Sequence, residues 1–194
     1  MSYKIKTNNR VHQLPAGLMI GDLRTELFAD IKTRKVFVLH NGETTPFSQL
    51  APHLKKLLVD QYVKDQQALK DLSHLPTAEA LEQFAFCVYG AADATPDFSE
   101  DGASLSDDNF MCSNNCKCLK WSSKNISVDG QSLTVRQIEI IKLLASDYPD
   151  KQIAQQLNIT PSTLDSHKAK IFKLFDVYSK TGLITKAINQ KIIQ

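Results

Sequence analysis

Four cysteines are the residues whose type and spacing most readily suggest chemistry. Cys112, Cys116 and Cys118 form a Cys-x3-Cys-x-Cys pattern, and Cys87 follows the apolar stretch FAF upstream. Four thiolates complete a tetrahedral zinc site, so Cys87, Cys112, Cys116 and Cys118 are candidate ligands of a structural zinc ion. In a reducing compartment such clusters bind metal more often than they form disulfides. Because the spacing is not the usual paired Cys-x-x-Cys, free thiols and a redox-responsive cluster stay open as alternatives.

Motifs of enzymatic catalysis are not evident in the chain. It has no glycine-rich phosphate loop and no paired-carboxylate motif, and the sequence pairs no histidine with a cysteine. A thiol enzyme with Cys112 or Cys116 as nucleophile is therefore disfavoured, and we expect that the protein is not an enzyme. His40, His53 and His74 could replace a cysteine as metal ligand, although lone histidines usually have other roles.

A second candidate site lies in the stretch NITPSTLDSHKAKIFKLF, residues 158–175. On a helical wheel its apolar residues gather on one side, and small residues ending in a lysine gather on the other. The apolar side comprises Leu164, Ile171, Phe172 and Phe175, and the opposite side comprises Ser162, Ser166, Ala169 and Lys173. Small side chains let a helix sink into the major groove of DNA, while Lys170 and Lys173 are spaced to reach phosphates. The stretch therefore predicts a DNA-reading helix.

Helix signals precede this stretch. Thr134 and Gln137 have the spacing of a capping box, which begins one helix. Pro149 suits the first turn of a second helix, and Asn158 can end that helix because asparagine tolerates the left-handed conformation. Two short helices are thus expected before the reading helix.

The reading helix and one further helix complete the carboxy-terminal domain. Thr160 is a good N-cap with Pro161 at the first helical position, so the chain must turn sharply after Asn158. Ser179 is the expected N-cap of the last helix. A short helix, a tight turn and a longer helix predict a helix-turn-helix within a four-helix domain.

The segment LTVRQIEIIKLLASDYPDKQIAQQLNITPSTLDSHKAKIFKLFDVYSK resembles the LuxR-type helix-turn-helix domain of bacterial transcription regulators. The matching positions are Leu133, Thr134, Arg136, Glu139, Leu144, Ala145, Lys151, Ile153, Ala154, Leu157, Ile159, Thr163, His167 and Ile171. The resemblance implies a recognition helix at about 161–175 in the major groove. The candidate DNA-binding residues are Lys151, Thr160, Ser162, Asp165, Ser166, Ala169, Lys170 and Lys173. More loosely, FCVYG, TPDFSEDG and the cysteine cluster resemble the front halves of short LuxR-type regulators, which names no ligand.

Roles within this set follow from the resemblance. Asp165, Ser166 and Ala169 would face base edges, and the three lysines would serve the DNA backbone. A carboxylate at Asp165 opposes binding unless it accepts a hydrogen bond from a cytosine amino group. His167 lies beside the core, where it is expected to orient the helix or bond a phosphate rather than perform chemistry. Departures from the family pattern, such as Lys170 at a frequent asparagine position, bear on sequence preference rather than on the fold.

The favoured function is sequence-specific binding of double-stranded DNA by a transcription regulator. One short recognition helix reads too few base pairs to find a genomic site, so we expect a homodimer on DNA. The resemblance implies that the fourth helix, with Ile184, Ile188 and Lys191, is the dimer surface. The alternative is a protein-interaction module of the transcription machinery, which would contact RNA polymerase or a partner regulator through its helical domain and acidic loop without binding DNA directly.

Charge is divided unevenly along the chain. Residues 126–194 carry nine Lys and Arg against six Asp and Glu, whereas the preceding residues carry fourteen against fifteen. The interval between Lys70 and Lys117 contains nine acidic residues and no basic one, so it repels a phosphate backbone. We therefore expect a DNA-binding domain at 126–194 and a regulatory domain at 1–125.

The front half is expected to be mostly α-helical with a little β-structure. YKIK and KVFVLHNGE have the character of short strands, the second with an Asn-Gly turn signal. From Pro46 onward apolar residues recur at helical spacing, and residues 90–124 then form a long irregular loop that contains three of the cysteines. The predicted fold class is mainly α.

The signal that this half senses is not evident. It lacks the acidic pair, the strand-terminal Asp and the Lys of a phosphoacceptor receiver, and it lacks the size and the aromatic residues of an acyl-homoserine-lactone sensor. The start, MSYKIKTNN, has no apolar leader region, and no apolar run approaches the roughly 18 residues that a membrane span needs. We expect no membrane partner and a cytoplasmic location.

Overall fold

A small antiparallel sheet opens the front half. The computed structural model describes residues 14–102, 108–113 and 116–193. Its three-stranded sheet has the order β1-β2-β3, with strands β1 (Thr25–Asp30), β2 (Lys35–His40) and β3 (Glu43–Pro46). Asn41 and Gly42 join β2 to β3 with φ of 51° and 80°, as a type I′ hairpin turn requires. The strand and the Asn-Gly turn predicted from KVFVLHNGE are confirmed, and YKIK lies outside the described residues.

Strand β1 was not predicted, because an acidic residue interrupts its apolar pattern. Glu26 is fully buried, and its Oε1 accepts a hydrogen bond of 2.7 Å from Asp93 N. Leu27 N donates to Asp97 Oδ2 at 2.7 Å. Burial raises the pKa of Glu26 to about 9 and that of Asp108 to about 7, and it holds the pKa of Asp97 well above its usual range. Beside β1, the front half therefore contains buried carboxyl groups that favour the protonated form.

Three helices follow the sheet in the described part of the front half, and their apolar residues recur as the sequence predicts. They are α1 (Pro52–Lys64), α2 (Gln66–Leu72) and α3 (Thr77–Val88), and α3 packs on β1 and β2. Phe84 lies in this core. Its ring centroid is 5.2 Å from that of Tyr62 and 5.8 Å from that of Trp121. A 3-10 turn at Phe47–Gln49 connects β3 to α1.

The segment after α3 is irregular, as expected, and it is fastened to the front helices. Its described part contains a 3-10 turn at Lys117–Lys120. Trp121 Nε1 donates to Asp71 Oδ2 at 2.9 Å, and Ser123 N donates to Asp65 Oδ2 at 2.7 Å. The segment is therefore a packed part of the front half rather than a solvated linker.

The carboxy-terminal half has a short hairpin followed by four helices. The elements are β4 (Ser127–Val128), β5 (Gln131–Ser132), α4 (Val135–Ala145), α5 (Asp150–Gln156), α6 (Pro161–Leu174) and α7 (Lys180–Asn189). The capping box of Thr134 and Gln137 is present in both directions at the start of α4. Pro149 was predicted in the first turn of α5 but occupies the N-cap, where its ψ of 152° is extended. The mainly α fold is confirmed, and none of the helices described is long and apolar enough to cross a membrane.

Two hydrophobic clusters, one in each half, meet at the irregular segment. Met111 belongs to the back cluster, Cys118 and Trp121 belong to the front cluster, and Cys116 packs against both. The Asn109 side chain accepts a hydrogen bond from Ser127 N at 2.8 Å and donates to Gln190 O at 3.1 Å. The domain boundary at 125/126 stays a prediction, since this segment contributes to both clusters.

Candidate nucleic-acid interface

The turn between α5 and α6 sets the direction of the predicted recognition helix. Asn158 adopts φ 53°, the left-handed conformation expected from the sequence. Ile159 N donates to Ala154 O and Asn158 N donates to Gln155 O, both at 3.0 Å. These two bonds form a Schellman motif, which ends α5 and reverses the chain within a few residues.

Helix α6 begins at once after this turn. The Thr160 hydroxyl accepts a hydrogen bond of 3.2 Å from Thr163 N, and Pro161 occupies the first helical position. Both features agree with the sequence-based prediction. The helix ends at Leu174, and Asp176 then adopts a left-handed φ of 49°.

The inner face of α6 is anchored in the back cluster. Leu164, Ile171 and Phe175 are each fully buried, and α6 packs on α4 and α5. These contacts fix the rotation of the helix about its axis, because a rotated helix would expose large apolar side chains. The outer face is therefore determined by the inner one.

The outer face carries the residues predicted to read DNA. The exposed candidates on α6 are Ser162, Asp165, Ser166, Ala169, Lys170 and Lys173, and Thr160 and Lys151 are exposed beside it. Ser162, Ser166 and Lys170 line a shallow groove of about 260 Å³ together with Thr163 and the half-buried His167. The structure thus places the predicted residues of α6 on the exposed side of that helix, whereas Lys151 lies on α5; the contacts of all these residues with DNA remain predictions.

The lysines of this surface fall into two groups. Lys151, Lys170 and Lys173 form no ion pair with any residue that the structure describes, so their charges are available to a ligand. Lys168 behaves differently, since its Nζ lies 2.5 Å from Asp150 Oδ2 and 3.5 Å from Asp165 Oδ1. The hydrogen bond to Asp150 raises the pKa of Lys168.

The two ion pairs of Lys168 were not predicted from the sequence, and one of them changes the electrostatic environment of Asp165. The side chain of Asp165 is 69% exposed, and the nearby ammonium offsets part of its negative charge. Lys168 also links α6 to the first turn of α5 through Asp150. The spacing of Asp165 and Lys168, three residues apart, was the available signal for one of these contacts.

Arg136 fixes the far end of α5. Its guanidinium donates to Leu157 O at 2.6 Å and pairs with Glu139 at 2.7 Å. A carbonyl at the end of a helix lacks a partner within the helix, so this bond ties α4 to the turn before α6. Arg136 matches the family pattern, but its contact with Leu157 spans 21 positions and was not predicted from the sequence.

Comparison with known proteins agrees with this geometry. Residues 131–187 match the family described as bacterial regulatory proteins, luxR family (GerE). The carboxy-terminal helices are a LuxR-family domain. Its match contains α4, α5 and α6 and most of α7, so the family pattern covers the whole helix-turn-helix.

The chain aligns with only part of each of the proteins that it resembles. An oxygen regulatory protein NreC of Staphylococcus haemolyticus is 34% identical over 61 residues, which are 31% of this chain and 28% of that protein. The NreC of Staphylococcus carnosus is 33% identical over 61 residues, with the same coverage. That of Staphylococcus aureus strain RF122 is 31% identical over 70 residues, 36% of this chain and 32% of that protein. The chain thus spans less than a third of the length of these relatives.

The four cysteines lie together, away from α6. Cys87 is on α3, and Cys112, Cys116 and Cys118 are in the irregular segment; all four are free thiols that line one cavity of about 400 Å³. Cys112 Sγ and Cys116 Sγ are 3.6 Å apart. The hydrogen bond between them lowers the pKa of Cys116 and raises that of Cys112. No group of three or more His, Cys, Asp or Glu side chains in the described residues is arranged to hold a metal ion, and the zinc site stays a prediction.

Proposed function

We propose that the chain is a transcription regulator that binds double-stranded DNA by placing α6 in the major groove. The observation that carries this proposal is the outer face of α6, which combines small side chains with lysines that form no ion pair among the described residues, on a helix whose inner face is buried in a core. Solvated helix faces more often carry paired acidic and basic residues. The match of residues 131–187 to bacterial regulatory proteins supports the same function.

The residues divide into those that read bases and those that hold the backbone. Asp165, Ser166 and Ala169 face base edges, and the Lys168 ammonium reduces the repulsion between Asp165 and DNA. The hydroxyls of Thr160 and Ser162 lie at the start of α6, where a phosphate is favoured by the helix dipole. Lys151, Lys170 and Lys173 neutralise phosphates on either side of the groove.

The regulator acts as a homodimer in this proposal. Ile188 on α7 is 51% exposed and Ile184 is half-buried, which leaves apolar surface for a second copy. Lys191, implied as a third member of this surface, is already engaged within the chain: its Nζ donates to Ala92 O at 3.0 Å and lies 3.6 Å from Asp93. We therefore assign the dimer contact to Ile184 and Ile188.

The similarity to these relatives supports only a general function in regulating transcription. The matched region is the LuxR-family domain, so an oxygen-linked role belongs to those proteins and is not transferred to this chain. What is transferred is regulation of transcription by DNA binding.

The test uses the full chain and fragmented genomic DNA. Fragments retained by the protein are sequenced and then used in a gel-shift titration. Ala169→Tyr places a large ring on the exposed outer face, so we expect loss of the shift with unchanged circular dichroism. Val63→Tyr, at a residue 48% exposed on α1, is the matched control and should bind as the parent does. Equal binding by the two variants would exclude α6 from the groove.

The alternative function is a protein-interaction module that contacts its partner through the acidic segment. Fewer acidic side chains of that segment are exposed than its sequence indicates. Asp97 and Asp108 are 0% and 3% exposed, and Asp71 accepts a hydrogen bond from Trp121. Gel filtration of the chain with purified RNA polymerase tests this rival. Co-elution without any DNA shift would favour it.

A further inference from the structure

We propose that Cys112 and Cys116 are a reversible disulfide site, oxidised by hydroperoxides, at the junction of the two hydrophobic clusters. Their sulfur atoms are 3.6 Å apart, in contact. Cys112 and Cys116 themselves lie outside the described helices and strands. Bond formation at about 2.05 Å requires the sulfurs to approach by about 1.5 Å, a shift that residues outside regular secondary structure can accommodate.

These two thiols are also the accessible members of the four. Cys112 and Cys116 are half-buried, whereas Cys87 and Cys118 are buried. The cavity that the sulfurs line is bordered by the exposed side chains of Arg34 and Lys117, whose positive charges favour a thiolate nearby. The Ser113 hydroxyl lies 3.5 Å from Cys116 Sγ, within reach to donate to it. Cys116 is therefore the expected site of first attack.

The reaction has two steps. The Cys116 thiolate attacks one peroxide oxygen, the O–O bond breaks, and the leaving alkoxide or hydroxide takes a proton, which leaves Cys116 as a sulfenic acid. The Cys112 sulfur then attacks the Cys116 sulfur, the S–O bond breaks, and hydroxide leaves with the thiol proton as water. Two thiols lose two electrons to one hydroperoxide, and a thiol reductant reverses the change by exchange.

The position of the pair links its oxidation to the LuxR-family domain. Cys116 packs against both clusters, and Leu119, three residues on, packs against the back cluster. Burial lowers the pKa of Lys142 on α4, and negative charge on Cys116 opposes that shift, so α4 lies within electrostatic reach of the pair. Drawing Cys116 toward Cys112 therefore shifts a residue that both halves contact. A resulting change in DNA affinity rests on the proposed function, whereas the disulfide itself does not.

The experiment is a thiol map of the full chain, purified without a histidine tag under reducing conditions. Equimolar hydrogen peroxide is added, free thiols are alkylated in denaturant so that the buried ones also react, and the chain is cleaved by trypsin and chymotrypsin. Cleavage after Phe110 and Lys117 yields residues 111–117, which contain Cys112 and Cys116 alone. We expect this peptide to lose the mass of two hydrogen atoms and to escape alkylation, with Cys87 and Cys118 alkylated. A thiol reductant should restore it.

A variant resolves the order of events. In Cys112→Ser, peroxide should leave Cys116 as a sulfenic acid that dimedone traps, and no disulfide should form.

Four alkylated cysteines after peroxide, or a disulfide that includes Cys87 or Cys118, would overturn the proposal. So would one zinc ion per purified chain with the thiols protected, which would establish the metal site instead. None of these outcomes depends on DNA binding, so failure here is distinguishable from failure of the proposed function.

Discussion

Replacement of Lys170 and Lys173 by alanine gives the most direct test of how α6 meets DNA. Both side chains are exposed and form no ion pair among the described residues, so the double change removes two charges and little packing. Each phosphate contact contributes about −0.9 to the slope of log K against log salt. Loss of two contacts should flatten the slope by about 1.8 per bound chain, or about 3.6 for a dimer.

The same arithmetic gives the loss of affinity. The parent and the double variant are taken to bind equally when extrapolated to 1 M salt. A slope lower by about 1.8 then makes the variant bind roughly 60-fold more weakly per chain than the parent at about 0.1 M salt. The assay is a fluorescence-anisotropy titration of a retained fragment at several salt concentrations. Affinity should fall to a similar degree for unrelated DNA, because phosphate contacts carry no sequence information.

The control variant removes the same charge elsewhere. Lys56→Ala with Lys64→Ala changes two exposed lysines of α1 in the front half. Its salt slope should stay at the parent value. If the two double variants show the same slope, the effect is one of net charge and the assignment of Lys170 and Lys173 to phosphates is wrong.

Three further predictions concern stability, each measured by urea denaturation of the full chain. Ile171→Ala removes a fully buried side chain of α6 and should cost about 2–5 kcal/mol; a smaller loss would mean that α6 is not anchored there. Asn158→Ala forces alanine to φ 53° and should cost about 1–2 kcal/mol, whereas Asn158→Gly should retain most of the stability. The folded pKa of Glu26, about 9, exceeds its ordinary 4.5, so the folded chain keeps a proton that the unfolded chain loses. Stability should therefore fall as the pH rises from about 4.5 to about 9, and Glu26→Gln should reduce that dependence; an unchanged pH profile would contradict it.

The carboxy-terminal half could be predicted from sequence because its signals are local. The capping box at Thr134, the N-cap at Thr160 and the left-handed Asn158 each depend on residues within a few positions. The two faces of α6 follow from helical periodicity alone. Pro149 was placed one position too far into α5, since its fixed φ is compatible with both the N-cap and the first helical turn.

The features that could not be predicted from the sequence depend on residues far apart in the chain. Strand β1 includes a buried glutamate whose partner, Asp93, is 67 positions away. Lys168 reaches Asp150 across 18 positions, and Trp121 reaches Asp71 across 50. Periodicity reports which face of an element is apolar, but it contains no information about which distant polar group meets another. The grouping of the cysteines could be suspected from their number, whereas the contact of Cys112 with Cys116 required coordinates.

The segment shared by the two clusters has a consequence for how the protein unfolds. Since Met111, Cys116 and Leu119 pack on the back cluster while Cys118 and Trp121 complete the front one, neither half can lose its structure without exposing apolar surface of the other. Denaturation should therefore follow a single cooperative transition. The family match at 131–187 also lacks part of the core on which its own helices rest. Transplanting that match alone onto another sensor would leave an apolar gap where Met111 and Leu119 belong.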